Sequence, residues 1–352
     1  MVPRSGKLLA PGHFRVLWVI SALLFAAARE TWANHVHMEM GPFLGVVLSV
    51  AVDPANPETL YCAAYGGGVF RSRDRGANWT AINQGLPNRQ VFSVLTHPKD
   101  PGGLYLGTDQ GVFHSTDKGN SWRLLTPLLK QHNIRSLAID PEDPTLLYAA
   151  TDLGVFQGKG EKWTKISKGL FSDDIRKIAV SPRGALIAGT FHGVFKKQRR
   201  ASAWVPINRG LEDKKIRALA TDPSSSDTVY AGTAYGGVFK TSDGGRRWKP
   251  MNRGLLNSTV LSLIVTPDPH KALYAGTVDG VFKSPNGGAE WSATGQELAF
   301  TVASLAFDPK DPRLLYAGSG GRLFRSTDAG ESWQDVSRQI NYFGPGPLSA
   351  KH

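Results

Sequence analysis

Three Ile-Arg pairs lie at equal distances along this chain of 352 residues. Their arginines are Arg135, Arg176 and Arg217, and each step between them is 41 residues. A guanidinium presents a planar fork of N–H donors that matches a carboxylate, and three such groups side by side would attract an acidic partner. The alternative is that the three charges are solvated while their aliphatic stems pack on the protein.

Carboxylates indicate a second kind of chemistry. Asp109 and Asp152 follow two successive Leu-Tyr segments, and equivalent segments elsewhere carry Tyr65, His192 and Tyr235. Aromatic rings beside carboxylates could hold a sugar. Glycosidic bonds are cleaved by paired carboxyl groups about 5–5.5 Å apart in retaining enzymes and about 6.5–9.5 Å apart in inverting ones. The alternative is that each aspartate forms a turn, as short acidic side chains often do.

Metal chemistry is indicated at one place, the segment NHVHMEM at residues 34–40. His35 and His37, with the two methionines beside them, could bind a soft or borderline metal such as copper. The alternative is an unstructured tail. Cys62 is the one cysteine of the chain, so an intramolecular disulfide and a cysteine-based zinc site are excluded. We expect no cofactor.

The candidate residues belong to a repeat of 41 to 44 residues that is marked by tryptophan. Five repeats contain a box of the pattern S-x-D-x-G-x-x-W or a close variant. These boxes are RSRDRGANW (71–79), HSTDKGNSW (114–122), KTSDGGRRW (240–248), KSPNGGAEW (283–291) and RSTDAGESW (325–333). Two degraded copies complete the series, QGKGEKW (157–163) and KKQRRASAW (196–204).

Each repeat contains four short β-rich runs separated by Pro, Gly and Asp. Four strands in a unit of about 42 residues are typical of a propeller blade. The sequence therefore predicts an all-β fold, a seven-bladed β-propeller over residues 45–338 with four antiparallel strands per blade. Because no strand is displaced from its repeat, we expect the ring to close by packing of the last blade on the first.

The box lies between the third and fourth strands and has the composition of a turn. Asp243 can accept hydrogen bonds from turn amides, Ser242 can bond locally, and Gly245 permits a positive φ. Trp248 would bury its ring against the adjacent blade. We therefore predict a structural role for the box residues Asp74, Trp79, Asp117, Trp122, Asp243, Trp248, Asn286, Trp291, Asp328 and Trp333.

The box that follows a GVFKS-type strand resembles the Asp-box, or bacterial-neuraminidase, repeat, and the resemblance covers residues 45–338. LYAGT-x-x-GVFKS-x-DGG-x-x-W resembles the propellers of sialidases, sortilin and two-propeller xyloglucanases. The single ring is most similar to the photosystem II stability and assembly factor type, which implies a non-enzymatic, protein-binding role. Sialidases carry a Phe-Arg-Ile-Pro-type motif, whereas the nearest segment here is LFRST at 323–327.

The first 33 residues are typical of an export signal. Arg4, Lys7 and Arg15 precede the apolar run 16–28, which has the length of a signal h-region, and Ala33 ends a tolerable cleavage site. We predict a signal peptide at 1–33, an extension at 34–44, the propeller at 45–338 and a tail at 339–352. The protein would be periplasmic or secreted, and an uncleaved membrane anchor is the alternative.

One face of the predicted ring should carry the function. The loops that lead into the first strand and join the second and third strands converge there, as loops do at binding sites. We expect this face to bind a protein partner with acidic groups through the three arginines, Tyr65, His192 and Tyr235. The alternative is a carbohydrate-active enzyme or glycan-binding module that uses the two aspartates named above. The formal charge of +12 would permit nucleic acid, but export disfavours it, and we expect a monomer.

Overall fold

The computed structural model describes residues 45–337 and 340–341. The predicted signal peptide at 1–33 and the extension at 34–44, with His35 and His37, lie outside the described residues, as does most of the tail at 339–352. Within the described part of the chain, no helix has the length and apolar character needed to cross a membrane.

Seven sheets, each with four antiparallel strands in chain order, follow one another along the chain, which confirms the predicted seven-bladed β-propeller. Each set of four strands is a blade. The strands of blades 1 to 4 are β1 (Val46–Val52), β2 (Leu60–Tyr65), β3 (Gly68–Ser72), β4 (Trp79–Ala81), β5 (Val91–Thr96), β6 (Leu104–Thr108), β7 (Gly111–Ser115), β8 (Arg123–Leu124), β9 (Ile134–Ile139), β10 (Leu146–Thr151), β11 (Gly154–Lys159), β12 (Lys162–Lys165), β13 (Ile175–Val180), β14 (Leu186–Thr190), β15 (Gly193–Lys197) and β16 (Val205–Pro206). Those of blades 5 to 7 are β17 (Ile216–Asp222), β18 (Ser225–Thr233), β19 (Val238–Thr241), β20 (Lys249–Pro250), β21 (Val260–Val265), β22 (Leu273–Thr277), β23 (Gly280–Ser284), β24 (Ser292–Thr294), β25 (Val302–Phe307), β26 (Leu315–Ser319), β27 (Arg322–Ser326) and β28 (Gln334–Asp335). Two short 3-10 turns lie at Pro127–Leu129 and Gln296–Leu298.

Each pair of adjacent blades encloses one cluster of buried hydrophobic side chains. The second and third strands are therefore covered on both faces. All five residues of β3 are buried, and so are five of the six residues of β2. Burying one large apolar side chain contributes about 1.5–3 kcal/mol, so each blade is stabilised mainly by its two neighbours.

Ring closure uses one strand that the repeat pattern did not predict. Blade 7 packs on blade 1 through a shared apolar cluster, as expected. In addition, β29 (Ile340–Asn341) pairs in parallel with β4, so that Ile340 lies opposite Trp79, and blade 1 gains a fifth strand. The end of the chain is thus hydrogen-bonded to its first blade.

The box is a hydrogen-bonded turn in five blades. In blade 5, the hydroxyl of Thr241 donates to Asp243 Oδ1 at 2.8 Å and accepts from the amide of Gly245 at 3.0 Å. The hydroxyl therefore comes from Thr241 and not from Ser242, the residue expected from the sequence. Gly245 has a φ of 97°, and a Cβ there would lie 2.5 Å from Ile207 of the previous blade. The same hydroxyl arrangement occurs at Ser72, Ser115, Ser284 and Ser326, with Asn286 in place of the acid in blade 6.

The box tryptophans connect neighbouring blades. Trp122 Nε1 donates to the carbonyl of Ile82 in blade 1 at 2.6 Å, and Trp79 Nε1 donates to the carbonyl of Val336 in blade 7 at 2.9 Å. Trp204, Trp248 and Trp291 bond the previous blade in the same way. The tryptophan of the degraded box in blade 3 differs. Trp163 Nε1 donates to Gly160 of its own turn at 3.0 Å, so this hydrogen bond does not join two blades.

A cation on the third strand makes a second connection wherever the next box is intact. Lys196 Nζ donates to the carbonyl of Gly244 at 3.0 Å, and Arg71 Nη1 donates to that of Lys118 at 2.7 Å. Lys240 and Arg325 contact the next box turn in the same way, and Lys283 reaches Glu331. His114 and Gln157 occupy this position in the two blades that precede the degraded boxes. The box is therefore an inter-blade connector as well as a turn.

The pKa values of the acidic box residues predict how the stability of the ring depends on pH. Partial desolvation alone would raise the pKa of Asp117, but hydrogen bonds from Ser115 and Ser121 lower it to about 2. The pKa of Asp328 is likewise about 2, for the same reasons. Because a lowered folded pKa stabilises the fold above the unfolded pKa, this contribution should disappear as the pH falls from about 4 to about 2.

We expect the melting temperature to fall over that pH range, and to fall less in a variant with Asp117→Asn and Asp328→Asn. Asparagine is the matched substitution because Asn286 already holds the blade 6 box, where its Oδ1 accepts from the amide of Glu290 at 2.9 Å. Calorimetry at pH 7, 4 and 2 measures the effect. An equal acid-induced loss in both proteins would contradict this assignment.

Candidate functional site

The direction of the strands places the connections of the ring on two faces. Because strands within a blade are antiparallel, the loops that lead into each first strand lie on the same side as the hairpins between second and third strands. This side is called the upper face. The box turns and the loops between first and second strands lie on the lower face. The first strands of adjacent blades contact each other and form the inner wall of the ring.

The three arginines occupy equivalent bulged positions at the upper end of that wall. In blade 4, Ile175 pairs with Thr190 and Lys177 pairs with Gly189, so Arg176 is left without a strand partner. Arg135 and Arg217 are skipped in the same way in blades 3 and 5. A bulge adds a residue to one strand and redirects its side chain. The repeat therefore brings the three arginines side by side, as their spacing predicted.

One acidic residue neutralises part of this group. Asp174 forms ion pairs with both Arg135 and Arg176, and its distance to Arg176 Nη2 is 2.9 Å. Desolvation, with repulsion from Arg176, lowers the pKa of Arg135, and desolvation lowers the pKa of Arg176. The Nε of Arg176 is buried and has no hydrogen-bond partner among the described residues. Two arginines thus share one carboxylate and retain donor capacity.

The third arginine is less engaged. Arg217 is exposed, and within residues 45–337 it forms no ion pair. The ring of Phe191 lies between two guanidinium groups, with its centroid 4.1 Å from the Cζ of Arg176 and 5.8 Å from that of Arg217. Phe191 precedes the predicted site residue His192, which is exposed on the same hairpin. Blades 2 and 3 have Asp109 and Asp152 at the position equivalent to Phe191. The aromatic residue in blade 4 was therefore the feature of the sequence that marked this position.

The two predicted tyrosines lie in different sectors of the upper face. Tyr235 is 66% exposed in blade 5, and Lys215 Nζ lies 4.8 Å from its ring centroid. Tyr65 lies in blade 1, where its ring contacts Phe92 at a centroid distance of 5.2 Å. Tyr235 therefore extends the sector that contains Arg217, whereas the contacts of Tyr65 are with blade 2.

The two predicted carboxylates hold loops together. Both oxygens of Asp109 accept from Asn88 Nδ2 at 3.0 Å, and Asp152 Oδ2 accepts from Asn133 Nδ2 at 2.8 Å. Each contact joins a hairpin of the upper face to the loop that leads into the first strand of the same blade. Asp279 accepts from Asn257 in blade 6 in the same manner. These contacts fit turn formation, and the glycosidase alternative for Asp109 and Asp152 remains a hypothesis.

The upper face also carries nearly all of the exposed large apolar side chains. Eight such residues occur in the described part of the chain, and seven belong to connections of this face. The eighth, Val205, lies on β16. The seven are Tyr65, Leu128, Leu153, Phe171, Tyr235, Leu256 and Phe300.

The described residues of the ring give little support for a metal site or for a reactive thiol. Across residues 45–337, no three His, Cys, Asp or Glu side chains are grouped so that they could hold a metal ion. Cys62 is buried, and burial raises the pKa of its thiol, so the reactive thiolate is disfavoured.

Comparison with known proteins shows the fold and no closer relationship. No protein-family model matches the chain, and no curated protein matches it. An ancestral GH74 enzyme has a TM-score of 0.71 and 19% identity, with 83% of this chain and 46% of that chain covered. The GH74 xyloglucanase from Xanthomonas campestris has a TM-score of 0.69 and 17% identity, with 85% of this chain and 55% of that chain covered.

A third solved structure is similar to this chain over nearly its own full length. It is YCF48 bound to D1 peptide, with a TM-score of 0.62 and 16% identity, and the match covers 80% of this chain and 93% of that chain. By contrast, the chain spans about half the length of the GH74 structures. The comparisons therefore support a propeller scaffold.

Proposed function

We propose that the ring is a non-catalytic scaffold that binds a protein partner with acidic groups through its upper face. A ring that binds a partner without catalysing a reaction fits a role in assembling or stabilising that partner. Export to the periplasm or the outside of the cell belongs to the same proposal. It rests on Arg4, Lys7, Arg15 and the apolar run 16–28, and sequencing the N-terminus of the exported protein tests it.

The observation that carries the proposal is the concentration of exposed apolar side chains on the face that holds the arginines. Seven of the eight exposed large apolar residues in the described chain lie there, and Phe171 and Leu256 are 77% and 83% exposed. Protein interfaces combine aromatic and aliphatic residues with arginine, and exposed apolar surface is costly unless a partner covers it. The upper face has this composition, whereas the lower face is occupied by box turns.

The arrangement favours protein over a reacting sugar. The two carboxylates that could catalyse hydrolysis are each engaged by an asparagine that ties a loop. The similarity in fold to YCF48 bound to D1 peptide supports the proposal of a peptide or protein ligand. The arginines around Phe191 supply donors for carboxylate groups of such a ligand.

Two arrays probed with the purified protein test the proposal. One carries peptides of random sequence, and the other carries plant and bacterial glycans. We expect binding to peptides that combine Asp or Glu with large apolar residues. Glycan binding without peptide binding would contradict the proposal. Hydrolysis of a bound glycan that is lost in Asp109→Asn or Asp152→Asn would establish the enzymatic alternative.

A further inference from the structure

The positive charge of the chain is concentrated in one stretch. Residues 157–200 carry eleven Lys or Arg and three Asp or Glu, a formal charge of +8 against +12 for the whole chain. They run from the end of blade 3 through the first three strands of blade 4, and they include the first degraded box and the first five residues of the second. The excess of positive charge therefore lies where blade 3 meets blade 4, in the stretch that contains the first degraded box and the start of the second.

In blade 4, the acidic position of the box is occupied by an arginine. Phe195 pairs with Pro206 as Phe70 pairs with Ala81 in blade 1, so Arg199 stands where blade 1 has Asp74. Its Nη1 lies 3.0 Å from Asp140 Oδ1 and 2.6 Å from Glu142 Oε2, both in blade 3. This guanidinium connects two blades and is not available to an external ligand.

Seven cations of the stretch form no ion pair in the described chain, and four of them lie on or just after β12, at the end of β15 or in the turn after β15. Lys162, Lys168, Lys197 and Arg200 form none within residues 45–337. All except the half-buried Lys197 are exposed. Of the acids close to them in sequence, Asp173 is already 3.2 Å from Lys165 Nζ, and Asp174 is held by the arginines described above. Glu161 is the remaining one.

Apolar side chains lie among these cations. The carbonyl of Lys168 accepts from the amide of Trp204 at 2.8 Å, and Val205 follows Trp204 on the outermost strand of blade 4. Phe171 contacts Phe195 edge to face at a centroid distance of 5.5 Å. Phe171 and Val205 are 77% and 55% exposed. The loop after β12 therefore contacts blade 4 at Phe195 and directly beside the edge strand β16.

We propose that this surface, the blade 4 edge patch, docks the ring on an anionic phospholipid bilayer. The patch consists of Lys162, Lys168, Lys197, Arg200, Phe171 and Val205. Lysine is a mobile point charge, which suits a diffuse layer of phosphates better than one fixed carboxylate. Exposed apolar side chains beside cations are the composition of interfacial membrane binding. Lys168 and Phe171 lie on the upper-face loop that leads into β13, so the patch borders the arginine site. The ligand of the patch is a bilayer and not a protein, so this membrane contact goes beyond the proposed function.

Sedimentation with vesicles tests the inference on the full-length protein. The vesicles contain phosphatidylcholine alone, or phosphatidylcholine with about one third phosphatidylglycerol, which supplies the negative surface potential. The neutral vesicles measure the contribution of the apolar run 16–28. We expect stronger binding to the anionic vesicles. Replacing the four patch cations by glutamine should weaken that binding about tenfold or more, because each cation contributes to the attraction. Phe171→Ser should weaken it further.

A matched variant distinguishes the contribution of the patch to vesicle binding from the contribution of the net charge of the protein. Arg73, Lys99, Arg123 and Lys249 are exposed cations on blades 1, 2 and 5, and glutamine at all four removes the same charge. We expect this variant to lose less than about twofold. Equal binding of wild type to both vesicle types would overturn the inference, as would equal losses in the patch and matched variants. Melting temperatures show that both variants are folded.

Discussion

Replacing Arg135, Arg176 and Arg217 together by glutamine is expected to weaken the binding of an acidic peptide more than about tenfold, or about 1.4 kcal/mol. The peptide is the one that binds the wild-type protein most tightly on the array. The three guanidinium groups lie side by side at the upper end of the ring, and the positive potential there attracts carboxylates. The binding of the wild-type protein should therefore decrease as salt is added.

The ion pairs of Asp174 rank the three single variants. Arg135 and Arg176 already share that carboxylate, whereas Arg217 is exposed and free of ion pairs in the described chain. We therefore expect Arg217→Gln to lose more affinity than Arg135→Gln. The melting temperature should change little, because Asp174 is 40% exposed and water can solvate it once its partners are removed.

Arg123→Gln is the matched control, since this exposed arginine lies on the outer strand of blade 2. Fluorescence titration of the labelled peptide at two salt concentrations measures the affinities. If the triple variant binds as tightly as the wild type and neither protein responds to salt, the arginines do not form the site.

The repeat could be predicted from the sequence because every blade must satisfy the same local chemistry. Trp, Phe and the box residues recur at one spacing, and each has a fixed place in a four-stranded sheet between two neighbours. The side-by-side placement of the arginines followed from the same spacing, whereas the bulge in each strand did not. The neutralisation of their charge could not be predicted from the spacing. Asp174 forms ion pairs with two of the arginines, and it lies on a loop whose path the repeat does not determine.

Departures from the repeat could not be predicted in the same way. The closing strand at Ile340–Asn341 lies beyond the last tryptophan and has no counterpart in the other blades, so no periodic signal marks it. Arg199 likewise occupies an acidic position, and only the pairing of β15 with β16 identifies it. In blade 3 the tryptophan still packs in the cluster shared with blade 2, but its hydrogen bond goes to Gly160, because the box is replaced by a two-residue turn between β11 and β12.

Truncation of the tryptophan at the closing seam should have the largest effect on stability. We expect Trp79→Ala to lower the free energy of unfolding by about 3–5 kcal/mol, the range for deleting a large buried side chain. Trp79 is 1% exposed in the cluster that joins blade 1 to blade 7, and its Nε1 donates to the carbonyl of Val336 at 2.9 Å. The backbone of Trp79 also lies opposite that of Ile340 in the closing strand, so this tryptophan stands where the two ends of the ring meet.

Trp163→Ala is the matched comparison, because Trp163 is also buried but bonds its own turn and lies against Gly158 of its own blade. Its loss should be smaller, by on the order of 1 kcal/mol for the missing inter-blade hydrogen bond. Urea unfolding followed by circular dichroism measures both values, and hydrogen exchange should report faster opening of β1 and β27 only in Trp79→Ala. Equal losses for the two variants, with unchanged exchange in β1, would show that closure does not depend on Trp79. The ring would then be held at that seam by its apolar cluster alone.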